Sequence, residues 1–161
     1  MDTAVRLTGT LDPRDSWSAD RCTIARSLDV LGTRSAFLIL REAFYGTGRF
    51  DDFAERAQIS EPVAAARLRE LVEQGLLERE DYREPGQRTR QRYRLTEKGA
   101  DLFPALVALM QWGDRWLDER GSPVELRHRD CEEQVEVKLM CAAGHEVRPG
   151  EVDLARRPRR S

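Results

Sequence analysis

Ser60-Glu-Pro-Val-Ala-Ala-Ala-Arg-Leu-Arg-Glu-Leu-Val-Glu-Gln-Gly75 has the marks of a helix with both ends defined. Ser60 is a preferred N-cap, Glu61 suits the positive end of the helix dipole, and Pro62 fits the first turn. Val63, Ala64, Leu68, Leu71 and Val72 share one face, and Gly75 can take the left-handed conformation that ends a helix. Two extended segments follow, Leu76 to Arg83 and Arg90 to Leu95, separated by a Pro85-Gly86 turn region.

Upstream, Ile24, Leu28 and Leu31 recur at helical spacing from Cys22 onward, and Gly32-Thr33 supplies a stop and the next cap. The second helix, with Phe37, Leu38, Ile39, Leu40, Ala43 and Phe44, is too apolar for a surface helix and should form the buried centre. Phe50 to Ala57 is a third, short helix. Helix, turn, helix and hairpin in that order spell a winged helix. The fold class expected is therefore mainly α with a β-wing.

Thr96 should cap one long helix from Glu97 to about Glu119, spanning about 35 Å, with an early kink at Pro104. Its stripe of Leu106, Leu109, Met110, Trp112, Trp116 and Leu117 exceeds what its own domain can cover, so it calls for a partner. Val124 to Leu154 alternates weakly at Val135, Val137 and Leu139 and reads as a small strand-rich appendage. The division expected is a flexible arm over 1–20, the winged helix over 21–121, the appendage over 122–155 and a basic disordered tail over 156–161.

Composition sets the outer bounds. The chain has 161 residues, 35% of them charged and 40% hydrophobic. No apolar run approaches the roughly 18 residues of a membrane span, and the first residues lack the apolar stretch of a secretion signal. A cytoplasmic location is expected. Cys22, Cys131 and Cys141 are too few and too scattered for a disulfide framework. Enzyme chemistry finds no foothold: the two histidines, His128 and His145, lie in the tail, and no nucleophile elbow, phosphate loop or converging carboxylate pair is present.

Arg90, Arg92 and Arg94 alternate on one strand, so their guanidiniums share a face about 6.6 Å apart, while Gln91, Tyr93 and Leu95 face the other way. Arg83 and Arg88 continue the row around the turn, with Glu84 opposing it. Arginine's planar, permanently charged fork suits phosphate. An exposed strand kept from pairing by its charges is the competing reading. Segments 83–94 and 156–160 together hold nine of the 27 basic residues and one of the 29 acidic ones. The overall charge of −2 thus divides into a basic portion of +8 and an acidic body of −10. DNA should meet the wing, with the body held away.

On the recognition helix, Ser60, Ala65, Ala66, Arg67 and Arg69 are the candidate contacts. Alanine can touch a thymine methyl but donates no hydrogen bond. Arg67 is the best candidate for a base or phosphate, and a surface ion pair with Glu70 at i,i+3 is its competing role.

From Cys22 to about Gly121 the chain resembles the HxlR-type bacterial transcription regulators, dimeric winged-helix proteins related to the MarR group. The resemblance is carried by Cys22-Thr-Ile-Ala-Arg-Ser-Leu-Asp-Val-Leu-Gly-Thr-Arg, Leu38-Ile-Leu-Arg-Glu-Ala-Phe-Tyr-Gly, Arg49-Phe-Asp-Asp-Phe, Arg67-Leu-Arg-Glu-Leu-Val-Glu-Gln-Gly-Leu-Leu-Glu-Arg and Tyr93-Arg-Leu-Thr-Glu-Lys-Gly-Ala-Asp-Leu. It implies a homodimer on a pseudo-palindromic operator, with the terminal helices as the dimer contact; Ile24, Leu28, Leu109, Trp112 and Trp116 are the residues so placed. A repressor released by a small molecule or an oxidant is the expected function. A winged-helix protein-interaction module with weak DNA binding is the alternative.

Departures from the family pattern are specific. Ser35 stands where the family usually has Trp, leaving either a repacked core or room for a ligand beside the second helix. Cys22 holds the position from which relatives sense oxidants, and a thiol in a helix's first turn has its thiolate favoured by the dipole; a small buried residue without a switching role is the alternative. In the tail, His128-x-x-Cys131 and Cys141-x-x-x-His145 have the layout of a small zinc site, against a metal-free hairpin. No other cofactor is called for.

Overall fold

Ile39, Leu40, Phe53, Leu68 and Leu77 carry essentially no exposed surface, and they join three helices to a hairpin in one core. The computed structural model describes residues 4–11, 22–83, 90–117 and 119–156. These fall into two units, one from Met1–Ala25 and Glu136–Ser161, the other from Arg26–Val135.

The larger unit follows the expected order. Helix α1 runs Thr23–Leu31 and places Leu31 in the core, and α2 follows at Arg34–Phe44. Thr33 caps α2 by accepting the Ala36 amide at 3.2 Å. Helix α3 is Phe50–Arg56 and α4 is Glu61–Glu73. Ser60 occupies the N-cap of α4, but its hydroxyl makes no capping bond. Gly75, at φ +69°, turns the chain out of α4 as expected.

Strands β2 (Leu77–Tyr82) and β3 (Arg90–Leu95) pair antiparallel from Leu77↔Leu95 to Tyr82↔Arg90. The Pro85-Gly86 turn between them, and Arg88 with it, lie outside the described residues. Tyr93 meets the ring of Phe53 edge-on at 6.0 Å, so β3 turns Tyr93 and Leu95 to the core while its arginines stay exposed.

The single long helix expected after Thr96 is instead two. Thr96 caps α5 (Glu97–Ala100), and α6 runs Phe103–Trp116. Pro104 cannot donate to the Ala100 carbonyl and its ring crowds that oxygen, which converts the expected kink into a break. With 14 residues, α6 spans about 21 Å rather than 35 Å. Gly99 permits a close approach here, because a Cβ would stand 2.1 Å from the Leu76 carbonyl oxygen. Thr96 Oγ1 also donates to the Gly75 carbonyl at 2.6 Å, and Lys98 Nζ to that of Gln74 at 2.5 Å. The C-terminal end of α4 is thereby tied to α5.

The appendage differs from the expectation most. Val135, Val137 and Leu139 form no continuous strand; two narrow hairpins replace it, one in each unit. In the larger unit the Val135 amide donates to Leu126 and Arg127 bridges Gln134, and Gln111 Nε2 on α6 donates to the Val135 carbonyl at 2.7 Å. In the smaller unit Met140 bridges Glu146. There β1 (Arg6–Leu7) lies parallel to β4 (Asp153–Leu154), and the Arg6 guanidinium grips Asp153 with bonds of 2.7 and 2.8 Å. Residues 4–11 of the expected flexible arm are therefore paired structure with a buried Leu11.

Candidate nucleic-acid interface

Helices α3 and α4 form a helix-turn-helix because their contact is built from small side chains. Ala54, Ala57 and Ala64 are all buried, which lets the backbones come close. Gln58 at φ +52° turns the chain between them, and the Ile59 amide donates to the Ala54 carbonyl. Ala64 has no exposed surface and is closed to any DNA contact. Ser60, Ala65 and Arg69 are exposed along the outer side of α4, and Ala66 is half-buried.

Arg67 is bound. Its Nη1 pairs with Glu70, the competing role already visible in the i,i+3 spacing, and its Nε is buried without a hydrogen-bond partner among the described residues. Freeing it for a phosphate requires Glu70 to let go.

The wing carries more compensation than its arginine row suggested. Register places Glu80 opposite Arg92 and Glu78 opposite Arg94. Glu80 takes both neighbours, with Arg92 Nε at 2.8 Å and Arg94 Nη1 at 3.2 Å. Arg92 also lies over the Tyr82 ring at 5.7 Å, and Arg49 Nε, at the N-cap of α3, donates to the Tyr82 hydroxyl at 3.2 Å. Arg90 and Arg83 are exposed on the same hairpin. From Leu77 to Arg94 the sequence carries six arginines against four carboxylates, so the row that looks uncompensated from Arg83 onward is partly balanced by Glu80 and its neighbours. The signal in the sequence is the set of carboxylates Glu78, Glu80 and Asp81, whose strand lies beside β3 once the pairing is known.

The Arg92 hydrogen bond, foremost, holds the Glu80 carboxyl below its ordinary range. The sign follows: the pair is intact at neutral pH and breaks only when pH falls through that lowered value. Glu80 therefore stays charged across about pH 5 to 8. A Glu80→Gln variant should raise affinity for duplex DNA by about fivefold at low salt and steepen its salt dependence, because two phosphate-seeking arginines lose their internal partner. Unchanged affinity in a salt-titrated anisotropy measurement would mean that Arg92 and Arg94 face away from DNA.

Ile24 and Leu28 on α1, and Leu109, Trp112 and Trp116 on α6, are all exposed, although each is a large apolar residue. Cys22 is half-buried just ahead of α1. Ser35 is half-buried, its hydroxyl donates to Thr33 Oγ1 at 3.4 Å, and Ala36 beside it is buried.

The tail's ligand pairs lie one in each unit. His128 Nδ1 stands 3.2 Å from Cys131 Sγ, while Cys141 and His145 are joined through their backbones at 2.9 Å. Among the described residues of either unit, no three His, Cys, Asp or Glu side chains gather as a metal-holding group; each unit by itself supplies two of the four ligands structural zinc takes. Amide groups, His145's foremost, hold the exposed Cys141 thiol below its ordinary range.

Comparison with known proteins agrees with this geometry. The family model described as HxlR-like helix-turn-helix matches residues 30–121. An uncharacterized HTH-type transcriptional regulator of Mycobacterium tuberculosis, Rv3095, is 45% identical over 127 residues, covering 78% of this chain and 79% of that protein. The crystal structure of PA1607, a candidate transcription factor, is 35% identical with a TM-score of 0.77, over 86% of this chain and 96% of that one. The redox regulator HypR in its oxidized form is 28% identical with a TM-score of 0.54, over 60% of this chain and 99% of that one.

Proposed function

This chain belongs to the HxlR-like helix-turn-helix family of transcriptional regulators, and from that premise we propose that it is a homodimeric repressor bound to a pseudo-palindromic operator and released by a small molecule or an oxidant. The observation that carries the proposal is the exposed outer side of α4, with Ser60, Ala65 and Arg69, on the same unit as an arginine-bearing hairpin. In a helix-turn-helix this helix enters the major groove and the hairpin follows the backbone. The exposed apolar residues of α1 and α6 support the dimer. The oxidant arm rests on Cys22 and on the likeness to HypR, itself a redox regulator.

A second reading, a protein-interaction module with weak DNA affinity, is favoured by the internal pairing of Arg67 with Glu70 and of Arg92 and Arg94 with Glu80. Fluorescence anisotropy on the chain's own upstream DNA separates the two. The regulator should bind tightly, with an affinity that falls steeply with salt. Arg90→Ala with Arg92→Ala should weaken it about tenfold and reduce the logarithmic salt slope by about two. Wild-type affinity and slope in that variant would remove the wing from the interface, and binding no tighter than to random duplex would favour the module.

A further inference from the structure

We propose that a cavity between α2 and α6 binds a single-ring aromatic molecule bearing one oxygen-based hydrogen-bond-accepting group, which Arg41 receives. The cavity has a volume of about 230 Å³ and lies wholly within the larger unit. Phe37 and Leu38 line it from α2, Phe103 and Leu106 from α6, and Leu126 from the hairpin that Gln111 fastens to α6. Arg41 is the one charged lining residue among those described. Phe103 is exposed as well as lining, so a ligand can enter from solvent.

Size and chemistry narrow the ligand. Apolar cavities of about 150 Å³ stay dry and take up benzene, so this volume accommodates one ring with a short substituent. The walls are aromatic and aliphatic surface with two polar side chains, Arg41 and Tyr45, too few donors and acceptors for a sugar or a nucleotide, which selects a ring. Arg41 gives Nε and Nη2 to Glu42 Oε1 at 3.0 and 2.6 Å, while its Nη1 has no hydrogen-bond partner among the described residues. That nitrogen is the donor left for the ligand's oxygen.

The same arginine connects the cavity to the DNA-reading elements. Its Nη2 also donates to the carbonyl of Arg56, the last residue of α3, at 3.3 Å. Glu42 is buried and accepts from Thr47 at 3.4 Å, and Arg56 Nη1 donates to Thr47 Oγ1 at 2.9 Å. A ligand oxygen held by Nη1 therefore turns the same rigid guanidinium whose Nη2 holds the end of α3, four residues before the N-cap of α4. This regulatory half rests on the DNA-binding role proposed above; the binding half does not.

The test uses the full-length protein with 4-ethylbenzoate as probe and ethylbenzene as its oxygen-free counterpart. Calorimetry should give a Kd of about 100 μM for 4-ethylbenzoate, the scale ligand efficiency allows for a ligand of its size, and binding about tenfold weaker for ethylbenzene. Leu106→Trp and Leu38→Trp fill the cavity from opposite walls, and whichever keeps the wild-type unfolding midpoint should lose the probe. No binding at about 1 mM, equal binding to a filled variant, or equal affinity for ethylbenzene would overturn the site as assigned. Saturating 4-ethylbenzoate should change operator affinity by about fivefold or more. Tight operator binding that ignores bound probe would overturn the regulatory half and leave DNA recognition standing, whereas probe binding without operator binding would do the reverse.

Discussion

Trp112→Asp combined with Trp116→Asp is expected to leave a folded monomer that binds its operator about 10²- to 10⁴-fold more weakly than the parent chain, the range over which linking two half-sites raises avidity. Neither ring belongs to the core: Trp112 keeps 54% of its surface exposed and Trp116 63%. Helix α6 has its buried contact elsewhere, at Val107, so the outer stripe can be charged without opening the domain. Covering what each ring exposes is worth about 2–3 kcal/mol, and a two-fold interface repeats every such contact. Placing four carboxylates in that interface reverses the gain. Sedimentation and anisotropy on the same samples decide the matter, with circular dichroism confirming that helix content is kept. A variant that remains dimeric would place the subunit contact away from this stripe.

Phe53→Ala should cost about 3–5 kcal/mol of unfolding free energy, the range for removing a fully buried aromatic ring. Phe53 has no exposed surface, stands in the core with Ile39, Leu40 and Leu68, and meets Tyr93 of β3 edge-on. It thus joins the first helix of the helix-turn-helix to the wing, and the void it leaves faces both. Against a total stability of about 5–15 kcal/mol, the variant should unfold at a much lower urea midpoint with its slope unchanged. Val63→Ala, at an exposed position on α4, should stay within about 0.5 kcal/mol of wild type. A loss below about 1.5 kcal/mol for Phe53→Ala would mean that the site collapses around the missing ring.

Where local signals decide structure, the residues spoke for themselves. Thr33, Gly75 and Thr96 act at the helix ends expected of them, and the alternation in Arg90 to Leu95 separates the core-facing Tyr93 from the exposed arginines. The Arg67–Glu70 pair was readable because i,i+3 neighbours meet on any helix. Pro104 marked the right place, but whether a proline kinks or breaks a helix depends on what the flanking turns pack against, here Gly99 on Leu76. The ion pairs of Glu80 needed the hairpin register, which rests on a turn of undetermined length in the sequence reading.

What the sequence determined by itself was the helix-turn-helix with its wing and the surplus apolar face of the last helix, since each depends on periodicity, capping and composition within a few adjacent turns; the family came from motif stretches that resemble known regulators in the same order. Only the tertiary structure decided the rest. It neutralised much of the wing through Glu80, and it tied Arg67 down with its Nε buried. It paired Arg6 with Asp153 across 147 positions, and it set a cavity beside Phe37, Leu38 and Arg41 of α2. These features come from side chains brought together by packing across distant segments, and no spacing along the chain encodes the distance between them.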